Sequence, residues 1–230
     1  MITEKEGNIF NSKCQTLVNT INCVGVMGAG IAFEFRLRYP LMFTKYKGLC
    51  EEQKIQIGTL WIYTLNENQK VLNFPTKYDW KNPTKLEYLE KGLKKFVDTY
   101  KSKNITSIAF PLLGASHGGL SPEVSMSVMK QFLNKCDIPI EIWKYDSSAS
   151  DDLFESFKAS FQSKNLDQIS KQTSISKSTL TKIDKGLSQN RINTVSGLLN
   201  LQGIGEKTVE KIFLYMNKKD FSEQKTLFDE

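Results

Sequence analysis

A single histidine, His117, serves a chain of 230 residues, which excludes a metal centre built on imidazoles. The four cysteines, Cys14, Cys23, Cys50 and Cys136, form no C-x-x-C pair. That spacing argues against a zinc site or a disulfide framework and leads us to expect a reducing, cytoplasmic setting. No apolar run approaches the roughly 20 residues that span a bilayer. The opening M-I-T-E-K-E-G also lacks the apolar stretch of a signal peptide. The P-loop signature G-x-x-x-x-G-K-[ST] is missing, and no clean G-x-G-x-x-G occurs. Neither P-loop nucleotide hydrolysis nor dinucleotide redox chemistry is therefore expected, and no metal or other cofactor is called for.

The rest of the composition is ordinary, with 40% hydrophobic and 24% charged residues. Such a chain can hold one sizeable core and a second small domain. The net charge of +6 favours acidic partners, nucleic acid first. Lysines crowd residues 164–218, whereas 150–155 and the last residues are acidic.

The stretch N-T-I-N-C-V-G-V-M-G-A-G-I-A-F-E-F-R-L-R-Y-P at 19–40 organises the chain. A buried strand containing Leu17 and Val18 stops at Asn22. A glycine-dense loop runs over 24–30. An amphipathic helix over 31–39 carries Ile31, Ala32, Phe35 and Leu37, with Arg36 and Arg38 between. Strand, glycine-rich loop and helix together present backbone N–H groups to a phosphate. The same device returns as a strand over 105–110, the loop P-L-L-G-A-S-H-G-G-L-S-P at 111–122 and a helix over 123–135. Two such loops at neighbouring strand ends can grip a pyrophosphate from both sides. Other expected elements are a strand over 2–9, a hairpin of strands 57–65 and 70–74, a helix over 85–100 and a last strand over 138–145.

G-N-I at 7–9, V-N-T-I-N at 18–22, G-V-M-G-A-G-I-A at 25–32 and Y-P at 39–40 together resemble the macrodomain family, the ADP-ribose-binding fold. The M-G-A-G-I-A form, with N-F-P-T-K at 73–77, is most similar to the DarG type, antitoxins similar to enzymes that remove ADP-ribose from DNA bases. The resemblance implies an α/β three-layer sandwich with a mixed central sheet over residues 1–150. It also implies ADP-ribose contacts from Asn8, Ile9, Asn22, Gly28, Ala29, Gly30, Ile31, Thr76, Gly114, Ser116, His117, Gly118, Gly119 and Leu120. Asn8 stands where the family usually has an Asp for the adenine amino group. Tyr145 stands where relatives stack on adenine, with Trp143 the competing choice.

Lys77 matches the lysine that such enzymes place beside the distal ribose, with Asn22 near it. An amine there can attack the anomeric carbon or its opened aldehyde, or stabilise charge on the leaving base. A solvated surface lysine is the ordinary alternative. After G-G-L the relatives carry an Asp that acts with the lysine, and this chain has Ser121. Serine supplies no charge, so His117 or Glu123 is left as the substitute.

Residues 151–165 read as a linker or capping helix and 166–218 as a small all-α domain. There L-x-x-L-x-G-I-G-x-K-T resembles a helix-hairpin-helix. Two short helices are expected to flank Gly203, Ile204 and Gly205, with Lys207 and Thr208 adding a charge and a hydroxyl for a DNA phosphate. Some such modules bind only protein. S-I-S at 174–176 reads as a degenerate first copy, and a helix-turn-helix over 166–187 is the competing reading. The tail 219–230 contains Gln224, Leu227 and Phe228, resembling the peptide that binds the bacterial sliding clamp.

The expected function is a glycohydrolase freeing ADP-ribose from DNA bases, in an antitoxin or repair role, with a DNA ADP-ribosyltransferase toxin as partner. The alternatives are a non-catalytic reader of ADP-ribosylated DNA or protein, and a hydrolase of protein-linked ADP-ribose or a small ADP-ribose derivative.

Overall fold

The computed structural model describes residues 1–189 and 192–217. The chain divides into two compact units, with the division between Asp146 and Ser147.

The first unit is built on a six-stranded mixed sheet. Its strands are β1 (Ile2–Gly7), β2 (Thr16–Ile21), β3 (Trp61–Asn66), β4 (Gln69–Pro75), β5 (Ile108–Pro111) and β6 (Ile140–Tyr145), in the order β1-β6-β5-β2-β4-β3. All neighbours pair parallel except β3 with β4, which form the antiparallel hairpin expected from the turn N-E-N-Q. Helices α1 (Gly30–Arg38), α2 (Pro40–Glu51), α3 (Leu86–Thr99) and α4 (Pro122–Leu133) connect the strands. Alternation along each strand divides the core between the two faces. Val18, Leu72, Phe74, Phe110 and Ile142 face Leu89, Leu93 and Phe96 of α3 and Met129 and Leu133 of α4. Ile21, Val71 and Tyr63 face Phe35 of α1 and Met42 and Tyr46 of α2. The chain thus makes the α/β three-layer sandwich.

The structure departs from the sequence reading in several places. The strand expected over 57–65 begins only at Trp61, because Gly58 takes a φ of +86° and Thr59 N–H closes a turn on the Gln56 carbonyl at 2.9 Å. The strand expected from 105 begins at Ile108. Ile105 N–H instead bonds the Tyr100 carbonyl, and Thr106 N–H the Gln15 side chain. Helix α1 is not amphipathic, since Phe33, Glu34, Phe35 and Leu37 are all buried. Its arginines lie along aromatic rings, Arg36 over Phe43 at 4.6 Å and Arg38 over Phe10 at 4.0 Å.

The second unit is helical, with α5 (Asp152–Gln162), α6 (Leu166–Thr173), α7 (Lys177–Ser188), a 3-10 helix (Ser196–Asn200) and α8 (Glu206–Met216). Residues 151–165, read as a linker or a cap on the first domain, are instead part of this unit. Phe154, Phe157 and Phe161 are fully buried, and Phe157 stacks on Phe213 of α8 at 6.5 Å. The element before Gly203 is a five-residue 3-10 helix where a second short α-helix was expected. The two turns of this unit are alike. Ser174 and Gly203 are both left-handed (φ +54° and +82°), Ile175 and Ile204 are both buried, and Ser176 and Gly205 are the caps of α7 and α8. Gln224, Leu227 and Phe228 lie outside the described residues. No helix among the described residues is long and apolar enough to cross a membrane.

Candidate functional site

Five parallel strands point their C-terminal ends the same way, so the segments leaving β1, β2, β4, β5 and β6 emerge along one edge of the sheet. These segments and the element ends next to them carry most of the sequence-predicted residues of the first unit, Tyr145 being the last residue of β6 itself.

The loop after β2, residues 22–29, is organised by Asn22, which is 6% exposed. Its Oδ1 accepts from Val24 N–H at 3.0 Å, from Val26 N–H at 3.2 Å and from the Tyr46 hydroxyl at 3.0 Å. Its Nδ2 donates to the Val26 carbonyl at 2.5 Å. The carboxamide expected to stand near the reacting ribose is therefore engaged in shaping the loop. Tyr46 also donates to the Asn22 carbonyl at 2.8 Å, and burial pushes its phenol far above the ordinary range. Beneath the loop, Asn19 and Asn73 are fully buried register partners, Asn19 Nδ2 donating a hydrogen bond to Asn73 Oδ1 at 2.9 Å, with Met27 and Met42 sulfurs against their nitrogens.

The loop ends at the start of α1. Ala29 occupies the cap position and has no side chain able to cap, and the first intrahelical bond is Phe33 N–H to the Ala29 carbonyl. The amides of Gly30, Ile31 and Ala32 thus precede that bond, which makes this terminus suited to an anion.

The loop after β5, residues 112–121, turns through left-handed residues at Gly114, Ser116 and Gly119. Leu120 N–H returns to the Gly114 carbonyl at 3.0 Å, closing the loop on itself. Thr84 supports it from below. Its N–H donates to the Gly118 carbonyl at 2.9 Å, and its methyl lies 2.8 Å from where a Gly114 Cβ would stand. The Thr84 hydroxyl is buried and unpartnered within the protein. Nothing in the sequence context of Thr84 marks it as a support.

The two glycine loops meet through His117. Its ring lies against Gly30, where a Cβ would come within 3.1 Å of the imidazole Cδ2, at a backbone φ of +54°. Lys77, at the end of β4, closes the third side. Its Nζ donates to the His117 carbonyl at 2.5 Å and to the Trp80 carbonyl at 3.3 Å, and burial pulls its pKa below the ordinary lysine value. Thr76, 6% exposed, is pinned by its N–H to the Ile21 carbonyl at 2.9 Å.

Asn8 is 4% exposed and caps a short 3-10 helix (Ile9–Asn11), its Oδ1 accepting from Phe10 N–H at 3.1 Å. Of the two aromatic candidates, Trp143 is 8% exposed, packs with Ile9 and Ala109 and donates to Glu141 at 2.8 Å, whereas Tyr145 is 64% exposed. Ser121 is the cap of α4, its hydroxyl accepting from Val124 N–H at 3.3 Å. The Glu123 carboxyl is held below its ordinary value by its own amide and by Ser121, so it stays ionised at neutral pH.

In the second unit, Lys207 is exposed on the first turn of α8. Gly203 faces Lys182 of α7, whose Nζ donates to the Gln202 carbonyl at 3.3 Å.

Comparison with known proteins places the first unit in a family. The Macro domain family model matches residues 18–129. A DNA ADP-ribosyl glycohydrolase of Mycobacterium tuberculosis is 39% identical over 147 residues, covering 62% of this chain and 42% of the relative. Another from Thermus aquaticus is 37% identical over 150 residues, covering 64% of this chain and 41% of the relative. The chain thus spans about two fifths of the length of these curated relatives. Among solved structures, the macrodomain of M. tuberculosis DarG matches with a TM-score of 0.59 at 37% identity, covering 62% of this chain and 97% of that one. Thermosipho africanus DarTG in complex with ADP-ribose matches with a TM-score of 0.57 at 32% identity, covering 60% of this chain and 40% of that one. Through its first unit, the chain belongs to the macrodomain family.

Proposed function

We propose that this protein is a glycohydrolase that removes ADP-ribose from modified bases of DNA, as the names of its relatives suggest, and that it counters a DNA ADP-ribosyltransferase toxin. One observation carries the reading. Lys77 sits at the mouth between the two glycine loops, partly desolvated, with its amine on the His117 carbonyl. In this reading the loops at 22–30 and 114–120 hold the pyrophosphate, Tyr145 stacks on adenine and Asn8 offers its side chain to the adenine amino group. Lys77 stands at the distal ribose, and Asn22 holds the loop beside it. Water replaces the base at the anomeric carbon, its hydroxyl going to the carbon and its proton to the departing base. A lysine kept short of full charge serves that step as a nucleophile toward the opened ribose, and once charged it stabilises the leaving base.

The second unit, in the same reading, holds the DNA strand. The N-terminus of α8 at Gly205, with Lys207 and Thr208 beside it, suits a backbone phosphate. Removal of the whole second unit, residues 147–230, is expected to weaken DNA binding while ADP-ribose binding by the first unit persists.

A specific observation favours a second reading, that of a reader without turnover. No carboxylate stands at position 121, and Ser121 is engaged in capping α4. Incubation with single-stranded DNA carrying an ADP-ribosylated base decides between the two. Release of ADP-ribose by the native chain, and none by Lys77→Ala, is the hydrolase result. Tight binding without release identifies a reader.

A further inference from the structure

A cavity of about 290 Å³ opens beside the first glycine loop, lined by Cys23, Val24, Gly25, Lys47, Cys50 and Tyr78 among others. It shares a wall with the site described above. Tyr78 directly follows Lys77, its carbonyl accepts from Cys23 N–H at 2.9 Å, and the Cys23 thiol approaches the Lys77 carbonyl at 3.6 Å. The strap 76–78 therefore carries the lysine of the proposed reaction and the rim of this cavity together.

The lining suits one chemistry. Burial pushes the Cys23 thiol up to about 11 and raises that of Cys50, so both are neutral and unreactive near neutral pH. They form an apolar wall. Gln53 and Gln56 add carboxamides, which offer donor and acceptor together, the pattern of a nucleobase edge. Lys47 and Glu51, four residues apart on α2, add an exposed cation and an exposed carboxylate to the lining, so an adjoining phosphate is placed at Lys47 and away from Glu51. Three aromatic rings are exposed among the described residues, Tyr78 at 54%, Trp80 at 51% and Tyr145. Tyr78 stands in the strap next to Lys77 and Trp80 two residues beyond it, and the Trp80 carbonyl accepts from the Lys77 amine. Exposed rings flanked by lysines form a sequence-tolerant stacking platform for single-stranded nucleic acid. The volume, near the lower end for small-molecule sites, matches a base with its sugar better than a folded peptide.

We propose that this cavity receives the nucleobase to which ADP-ribose is attached, with Tyr78 stacking on it, Lys47 meeting the adjoining phosphate and Trp80 stacking on a neighbouring base. The inference deepens the proposed function and rests on the reading that Lys77 stands at the distal ribose.

The test compares affinities for two ligands, free ADP-ribose and an ADP-ribosylated single-stranded DNA oligonucleotide. Both are measured on the full chain carrying Lys77→Ala to hold the substrate unhydrolysed. Adding Tyr78→Ala or Trp80→Ala is expected to weaken the oligonucleotide about tenfold each, and Lys47→Ala less, with free ADP-ribose unchanged within twofold. Tyr78→Phe, which keeps the ring, is expected to retain affinity. Equal affinity of all variants for the oligonucleotide overturns the proposal. So does a parallel loss of both ligands, which would assign the cavity to ADP-ribose itself. If the chain with Lys77 intact releases no ADP-ribose while oligonucleotide affinity still depends on Tyr78 and Trp80, the hydrolase reading fails and the base site stands.

Discussion

The Lys77 amine donates to the main-chain carbonyl of His117 at 2.5 Å across the gap between β4 and the loop after β5. A lysine held by carbonyls alone has no carboxylate to fix its charge, and partial burial works against that charge. Replacing it by alanine or arginine removes the amine that the proposed function sets at the distal ribose and leaves both glycine loops in place. We expect ADP-ribose release to fall by at least about a hundredfold. Affinity for free ADP-ribose, measured by titration calorimetry, should stay within a few-fold.

The same burial sets the pH dependence. A lysine pKa drawn below its ordinary value of 10.5 means that the neutral amine gains population at lower pH than a solvent-exposed lysine would. If the amine acts as nucleophile, the release rate rises with pH and levels off below 10.5. A rate that instead declines over the same interval would assign Lys77 its charged role at the leaving base. A pH–rate profile on one oligonucleotide distinguishes the two.

Gly30 joins the first loop to α1 with a positive φ and with the His117 ring against it. Gly30→Ala forces a side chain into that ring and strains the backbone by about 1–2 kcal/mol. The expected result is a drop in ADP-ribose affinity of about tenfold or more, with a modest fall in melting temperature. Gly119→Ala is the informative partner. It carries the same backbone strain, at φ +83°, but nothing stands within 4 Å of its Cβ, so a smaller loss of affinity isolates the contribution of His117.

Much of this was legible because it depends on local pattern. Apolar strands followed by glycine clusters place both loops, and the N-E-N-Q turn places the β3–β4 hairpin. What was not legible depends on residues distant in sequence. Asn22 was read as a residue of the reacting end, and only the approach of Tyr46 from α2 and the fold-back of Val24 and Val26 reveal a loop scaffold. Thr84 supports Gly114 and Gly118 from a segment with no signature of its own. Arg36 and Arg38 suggested a solvent-facing side of α1, yet both are half-buried along aromatic rings and Glu34 beside them is buried. Asp152–Gln162 looked separable until Phe157 met Phe213.

Ser121 supplies a test of the missing carboxylate. Aspartate caps a helix about as well as serine and suits the N-terminal end of its dipole. Ser121→Asp therefore keeps α4, with stability changed by no more than about 0.5 kcal/mol. It also adds an ionisable group after G-G-L. We expect faster release of ADP-ribose from modified DNA, read in single turnover. An unchanged rate would mean that this protein works without a carboxylate there.

Glu141 is one of the carboxylates of the first unit, with Glu4 and Asp137, that the fold holds below the ordinary value and that contribute to its acid stability. Its Oε2 accepts from the Ser12 hydroxyl at 2.5 Å and the Trp143 indole at 2.8 Å, and its Oε1 pairs with Lys5 at 2.6 Å. Burial alone would raise its pKa, but the bonds from Lys5, Ser12 and Trp143 outweigh burial and leave it below the ordinary value of 4.5. A carboxyl whose folded pKa lies below its unfolded one contributes stability above the unfolded value and loses it as pH falls through the folded one. Acid unfolding should therefore show a component of this kind below pH 4.5. Glu141→Gln should abolish that component and lower neutral-pH stability by about 1–3 kcal/mol, because Trp143 and Ser12 lose a charged acceptor. Trp143 fluorescence during the titration reports the same event from inside the core, since the indole bonded to Glu141 packs against Ile9 at the turn that carries Asn8.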